Sequence, residues 1–373
     1  MRVVFAAGGT GGHINPALAA AGEIRRRFPD ADILFIGTKD KMEAKLVPDA
    51  GFDFKTIEIS GFQRKLTPQN IKRNIITLKR LITSGSQVKK ILKEFKPDAV
   101  IGFGGYVSGP VVRTAAKMGI KTAIHEQNAF PGITNKTLAK YADTVMTAVP
   151  EATERLKCKN PPVVTGLPVR GAILCANKDF SRAELHIKPN EILIFSTGGS
   201  LGARTINELM LEVITELHKE KNLRFIHGHG QYGHWFPEKL KERGIDIDNS
   251  PNIDVREYIY NMDVCLSAAD IVVSRAGASA IAEIQALGKA AILIPSPNVS
   301  ENHQYYNAKA LADKNAAVLF EEKDLDAKKF VQFIKELVQD KERRDELGAN
   351  AKKMAVTDAT ERICDEILKL VEK

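Results

Sequence analysis

Short continuous runs of apolar and β-branched residues, each closed by glycine or a polar turn, alternate along the chain with longer stretches of helical periodicity. The runs fall at residues 3–7, 33–36, 99–101, 122–124 and 144–147, and again at 192–196, 223–226, 271–273 and 291–294. Such runs, apolar throughout rather than on alternate positions, predict parallel strands buried on both faces and joined by crossover helices. The predicted class is therefore α/β. The rhythm restarts at Ile192, and before it the segment 160–171, NPPVVTGLPVRG, has the proline and glycine content of a stiff linker. Two domains are expected, 1–167 and 168–357. Asp358 and Glu361 read as a capping box ahead of the stripe Ile363, Ile367, Leu370 and Val371, which predicts a closing helix over 358–373, joined to the first domain.

The two halves echo each other. VVFAAGGTGGHINPAL at 3–18 parallels ILIFSTGGSLGARTINEL at 192–209, each reading strand, GG[TS]xG, helix. This suggests two domains of one type facing across a cleft. Glycines around Thr10 and Ser200 put backbone N–H groups at helix N-termini, an arrangement that binds phosphate; a tight turn needing positive φ is the plainer reading. No Gly-Lys-Ser/Thr follows either loop, which argues against a nucleoside-triphosphatase. A third glycine stretch, 102–110, adds Tyr106 and Ser108 at another strand end. Gly228, Gly230 and Gly233 form a GxGxxG, but mid-domain and with Pro237 close behind, so it does not read as a dinucleotide fingerprint. His227, His229 and His234 beside it read as ordinary loop histidines.

Composition adds boundaries. With 44% apolar and 27% charged residues the chain is an ordinary globular one. Its four cysteines show no CxxC spacing, which fits reduced thiols and neither a disulfide frame nor a zinc site. Neither a signal peptide nor a run of about 20 apolar residues is present. The net charge of +8 is regional: between Gly61 and Lys96 ten basic residues (Arg64, Lys65, Lys72, Arg73, Lys79, Arg80, Lys89, Lys90, Lys93 and Lys96) stand against Glu94 alone. Ile71, Ile75, Leu78 and Ile82, followed by Val88, Ile91, Leu92 and Phe95, make this segment amphipathic helix. It packs on a core with solvated lysines outside, or it docks on an anionic bilayer. Nucleic acid is not expected, since Phe62 and Phe95 are the segment's only aromatics and no reading motif is present.

Candidate chemistry gathers at strand ends. His13 stands at a helix start, where the dipole favours a neutral imidazole able to act as a base. His125, Glu126, Gln127 and Asn128 offer four polar side chains where a crevice is expected. Ser274-Arg275-Ala276-Gly277 leads into a helix bearing Glu283, a carboxylate suited to a pair of sugar hydroxyls, and Glu301-Asn302-His303-Gln304 precedes another helix.

In order and spacing, GGTGGH, GFGGYVSGP, HEQN, GGSLGA, SRAGASAIAE and HQYYNA resemble the MurG family of bacterial peptidoglycan glycosyltransferases over almost the whole chain. The resemblance implies a GT-B fold of two Rossmann-like domains and inverting transfer of N-acetylglucosamine from UDP-GlcNAc to the 4-hydroxyl of the muramyl sugar of lipid I, giving lipid II. No metal or cofactor is expected. Domain 168–357 would bind the nucleotide sugar: Ile259 the uracil, Glu283 the ribose, Ser200 with the turn Ala278, Ser279 and Ala280 the diphosphate, with Ile281 and Ala282 also among the substrate-binding residues. Arg170 matches the arginine after the linker, Gln304 and Asn128 would contact the amino sugar, and Thr10, Gly11 and Gly12 would reach the donor. Domain 1–167 would hold the acceptor, with His13 as base, Glu126 as its rival and Tyr106 near the reacting hydroxyl. The family commonly has threonine at the position of Ala280, and Ser279 is the neighbouring hydroxyl. A lipid acceptor and cytosolic donor favour bilayer docking by 61–96, with the protein peripheral on the cytoplasmic face of the membrane. UDP-GlcNAc 2-epimerases share the two-domain plan but have no use for such a surface.

Overall fold

The computed structural model describes residues 1–59, 67 and 83–372. They form two compact units, Met1–Pro168 with Asp358–Lys373, and Val169–Thr357.

The first unit is built on a parallel sheet of β1 (Arg2–Ala6), β2 (Asp32–Gly37), β3 (Asp53–Thr56), β4 (Ala99–Gly102), β5 (Lys121–Glu126), β6 (Thr144–Thr147) and β7 (Val163–Val164), in the order β3-β2-β1-β4-β5-β6-β7. Val4 pairs with Leu34 on one side and Val100 on the other. Successive side chains along β1 feed opposite faces: Val3 and Phe5 enter one core with Phe35 and Phe103, Val4 and Ala6 the other with Leu34 and Val100. Phe5 and Phe35 stack at 5.2 Å. The second unit repeats the plan with β8 (Ile192–Thr197), β9 (Leu223–Gly228), β10 (Ile253–Arg256), β11 (Ile271–Ser274), β12 (Ala290–Leu293) and β13 (Val318–Leu319), in the order β10-β9-β8-β11-β12-β13.

In each sheet the strand order reverses once beside the first strand, between β1 and β4 and between β8 and β11. Crossovers leave such a point in opposite directions, so the carboxyl ends of those strands open a crevice. The first and third glycine stretches follow β1 and β4; the second follows β8, and Arg275–Gly277 follows β11.

Two local expectations change. The proline-rich segment is structured in its first part: Val163 and Val164 extend the sheet beside Met146 and Thr147, and Thr165–Leu167 are buried. The capping box does not form, because Asp358 turns its carboxylate to Arg362, 2.9 Å away, instead of to the helix N–H groups. That helix, Ala359–Val371, still buries Ile363, Cys364 and Ile367 in the first unit's core, and Arg27 meets Asp365 at 2.5 Å. Of the basic segment, Arg64, Lys65, Lys72, Arg73, Lys79 and Arg80 lie outside the described residues, as do Phe62, Ile71, Ile75, Leu78 and Ile82. Its described part is a helix over 83–95 that buries Val88, Ile91 and Leu92 and exposes Lys89, Lys90 and Lys93. Among the described residues no helix is long and apolar enough to cross a membrane.

Candidate active site

In the first unit, Gly9 takes φ +89° after β1, and the helix Gly11–Arg27 opens with His13 in its first turn. The N–H groups of Thr10, Gly11 and Gly12 have no partner among the described residues, so the loop presents donors to an anion. His13 Nδ1 lies 3.2 Å from the Gly8 carbonyl and 3.2 Å from Thr10 Oγ1. Donation to the Gly8 carbonyl is the tautomer in which Nδ1 carries the proton and Nε2 is the basic nitrogen; in the other tautomer Nδ1 accepts from Thr10 Oγ1. The ring rests on Gly104, at φ +101°, where a Cβ would stand 2.7 Å from His13 Cδ2. Gly105 is confined likewise, since its Cβ would meet the Gly8 carbonyl at 2.3 Å. The first and third glycine stretches therefore interlock. Tyr106 is half-buried beside Gly9, and burial raises its hydroxyl above the ordinary value. Ser108 is a fastening: its hydroxyl donates to the Ala6 carbonyl at 2.8 Å and accepts from Gly104 N–H at 3.0 Å.

One residue here was not singled out by the sequence. Glu43 is fully buried, with Oε2 accepting from Gly9 N–H at 3.1 Å and Oε1 from Thr38 N–H at 3.1 Å and Thr38 Oγ1 at 2.7 Å.

The HEQN segment departs from expectation, because three of its four side chains point inward. His125 is buried against Phe103 and hydrogen-bonds through Nε2 to the Gly166 carbonyl at 2.9 Å. Burial lowers its pKa to about 4 and keeps it neutral. Glu126 accepts from Asn128 N–H and Nδ2 at 2.9 and 3.2 Å, Gly132 N–H at 3.1 Å and Asn135 Nδ2 at 2.8 Å. Burial still pushes its carboxyl upward. Gln127 is buried and donates to the Phe103 carbonyl, which leaves Asn128 as the partly exposed member.

In the second unit, Ser200 is exposed on a loop whose Gly199 and Gly202 take φ +86° and +84°. The GxGxxG supports that loop from behind. Gln231 N–H donates to the Ser200 carbonyl and Tyr232 N–H to the Leu201 carbonyl, both at 3.0 Å. A Cβ on Gly230 would stand 2.1 Å from Gly202 N, and one on Gly202 2.2 Å from the His229 carbonyl. Asn207 Nδ2 donates to that same carbonyl at 2.9 Å. The glycines permit close approach of two backbones. His227 is buried, paired with Ser196 Oγ at 2.8 Å, and held down to about 3 chiefly by desolvation. Ile259 packs on Gly228, where a Cβ would stand 2.9 Å from its Cγ1.

The helix Ala278–Leu287 starts after Gly277, and the N–H groups of Ala278, Ser279 and Ala280 have no partner among the described residues. Asn307 Nδ2, donating to the Ala276 carbonyl at 3.2 Å, ties this turn down. Ile281 and Ala282 follow in the first turns, and then Glu283 forms a bidentate pair with Arg170, at 2.6 Å from Nε and 2.9 Å from Nη2. The two side chains assigned separately to a donor thus meet. Gln304 uses its Oε1 to accept from Ser296 N–H at 2.9 Å, just past Glu301 and Asn302, which both adopt left-handed backbone at φ +54° and +50°. Among the described residues no group of three or more His, Cys, Asp or Glu side chains forms a metal site.

Two parallel sheets, each with open loop N–H groups at its switch point, form two Rossmann-like units of the GT-B plan, and the comparisons with known proteins give the class as glycosyltransferase. Residues 3–147 match the glycosyltransferase family 28 N-terminal domain and residues 193–363 the C-terminal domain of the same family. The UDP-N-acetylglucosamine–N-acetylmuramyl-(pentapeptide) pyrophosphoryl-undecaprenol N-acetylglucosamine transferase of Desulforamulus reducens is 43% identical over 374 residues, covering 100% of this chain and 98% of the relative. The crystal structure of MurG from Acinetobacter baumannii superposes with a TM-score of 0.80 at 30% identity over 99% of both chains. The chain belongs to glycosyltransferase family 28 and, within it, to the MurG family. A UDP-GlcNAc 2-epimerase from Neisseria meningitidis shares the fold alone, at 15% identity and a TM-score of 0.65, with 99% of this chain and 100% of that one covered.

Proposed function

We infer that the protein transfers N-acetylglucosamine from UDP-GlcNAc to the 4-hydroxyl of the muramyl sugar of lipid I, with inversion, in peptidoglycan synthesis. The observation that carries this reading is a full-length match to the family combined with anion-binding N–H groups at the switch point of both sheets. The unit Val169–Thr357 takes the donor, through Ile259, Arg170, Glu283, Gln304, Ser200 and the turn from Ala278. The unit Met1–Pro168 takes the acceptor, with Thr10, Gly11, Gly12, Tyr106 and Asn128 contacting the substrates.

Chemically, the acceptor oxygen attacks the anomeric carbon, the bond from that carbon to UDP breaks, and the hydroxyl proton passes to a base. His13 suits that role, because the Gly8 carbonyl beside Nδ1 favours the tautomer in which Nε2 is the accepting nitrogen. Glu126 suits it less, since both of its oxygens are already engaged by its own loop. Charge on departing UDP is met by backbone N–H groups and helix dipoles, which are preorganised and cost no rearrangement during reaction. The basic segment 61–96 is the surface for an anionic membrane. Sedimentation with anionic against zwitterionic liposomes tests it, with binding to the anionic vesicles alone expected.

The reaction is tested with UDP-GlcNAc and a short-chain lipid I analogue, followed by mass spectrometry. UDP and a disaccharide lipid of inverted anomeric configuration are expected. Conversion of the donor to its manno epimer would replace transfer by epimerisation.

A further inference from the structure

Glu43 is a carboxylate placed where carboxylates are costly. It is fully buried, and among the described residues no basic side chain pairs with it. Room has been cleared for it: a Cβ on Gly8 would stand 2.7 Å from its Oε1, and one on Gly37 2.6 Å from its Cγ. Neither glycine has positive φ, so space and not backbone conformation is what excludes a side chain at both positions. Its hydrogen bond to Gly9 N–H and the contact of His13 Nδ1 with the Gly8 carbonyl use the two ends of one peptide group.

We propose that Glu43 is a positioning residue for His13, acting through the Gly8–Gly9 peptide. A carboxylate on the N–H of an amide makes its carbonyl a stronger acceptor, because hydrogen bonds in a chain polarise one another. The stronger carbonyl holds the proton on Nδ1, fixes the ring plane over Gly104 and raises the basicity of Nε2. Catalytic histidines elsewhere are oriented by a carboxylate directly on the ring; here one peptide group stands between. The carboxylate also spends Gly9 N–H inward, so the substrate anion is left to the donors of Thr10, Gly11 and Gly12.

This rests on His13 being the base, and the experiment separates the two claims. Transfer kinetics, UDP affinity by calorimetry, thermal unfolding and ¹⁵N spectra of the His13 ring are measured on the full chain as wild type, H13A and E43Q. A carboxamide has one accepting oxygen; with that oxygen on Thr38, its NH₂ opposes Gly9 N–H and the relay is cut. The expected result for E43Q is a fall in kcat of at least tenfold, UDP Kd within twofold, an unchanged unfolding midpoint and loss of Nδ1–H population at His13. A kcat within twofold of wild type, or an unchanged tautomer, overturns the relay. If H13A itself keeps wild-type kcat, the base assignment fails and the relay with it. Should E43Q not fold, Thr38→Val decides: it removes the Oγ1 hydrogen bond and leaves Oε1 only the Thr38 N–H, loosening the carboxylate while keeping its charge, and a severalfold fall in kcat with the tautomer shift supports the relay, whereas unchanged kcat overturns it.

Discussion

The loop after β1 and the loop after β8 read nearly alike, GGTGG against GGSLG, yet their supports differ in kind. Behind the first stands a charged side chain, Glu43, with a hydrogen bond to Gly9. Behind the second stands neutral backbone, the turn Gly228–Gly233, which donates from Gln231 and Tyr232 to Ser200 and Leu201. A negative charge behind an anion-binding loop opposes tight anion capture, while a neutral support does not. The contrast matches a division in which the second loop grips a leaving diphosphate and the first one serves a base. Similar loop sequences are therefore poor guides to equal function; the residues behind them decide.

The division can be broken by substitution, and the largest effect is expected at His13. H13A should lower kcat about 10²–10⁴-fold while UDP affinity stays within twofold, measured by lipid transfer and calorimetry. Next comes Gly230→Ala, which places a methyl against Gly202 at a φ of +73°. A loss of about 3 kcal/mol in denaturant unfolding is expected, together with weakened UDP binding; an unchanged midpoint would remove the turn from its supporting role. Glu283→Ala should raise the donor KM about 30-fold with less effect on kcat, as loss of charged hydrogen bonds to ribose implies. Untouched donor affinity would end the assignment of that carboxylate.

The smallest effect concerns the buried neutral histidines, one on an inner strand of each unit. Their folded pKa values, about 4 for His125 and about 3 for His227, lie below the ordinary 6.5. Below pH 6.5 the unfolded chain binds protons that the folded one refuses, so stability is complete above 6.5 and falls with pH toward the folded values. Glu126, shifted upward by burial, opposes that trend in the first unit. His227→Asn should therefore lessen the stability lost between pH 7.5 and 5.5 by about 1.4 kcal/mol. Equal losses in variant and wild type would show that His227 titrates normally.

Much of this was legible from the chain. Central strands such as β1, β4, β8 and β11 are buried on both faces, so their apolar runs are unbroken and their ends fall at glycine or a polar turn. Edge strands were not legible: β3 reads DFKT and β7 only VV, too short and too exposed to leave a periodic signal. The closing helix was visible in its stripe, but its cap was misread, because an exposed aspartate with an arginine four residues on has an alternative partner. His125, Glu126 and Gln127 read as crevice residues since polar groups at strand ends usually are; here Asn135, Gly132, Gly166 and Phe103 satisfy them inside. Glu43 was invisible, as in sequence it is one more charge after Asp40 and Lys41. Its burial depends on two glycines at the ends of other elements, which only the folded chain brings to it. Asn207 and Asn307 were hidden in the same way: a helical asparagine discloses its carbonyl partner only in three dimensions.

The helix Ala359–Val371 belongs to the first unit's core although the whole of Val169–Thr357 precedes it in the chain. Order of synthesis and order of completion are thereby inverted. The amino-terminal unit waits, with Ile14, Ala17 and Ala20 lacking their cover, until every residue of the other unit has been translated. Shortening the chain before Asp358 would therefore injure the unit that lies beyond the whole of Val169–Thr357 in sequence, and spare the unit next to the cut.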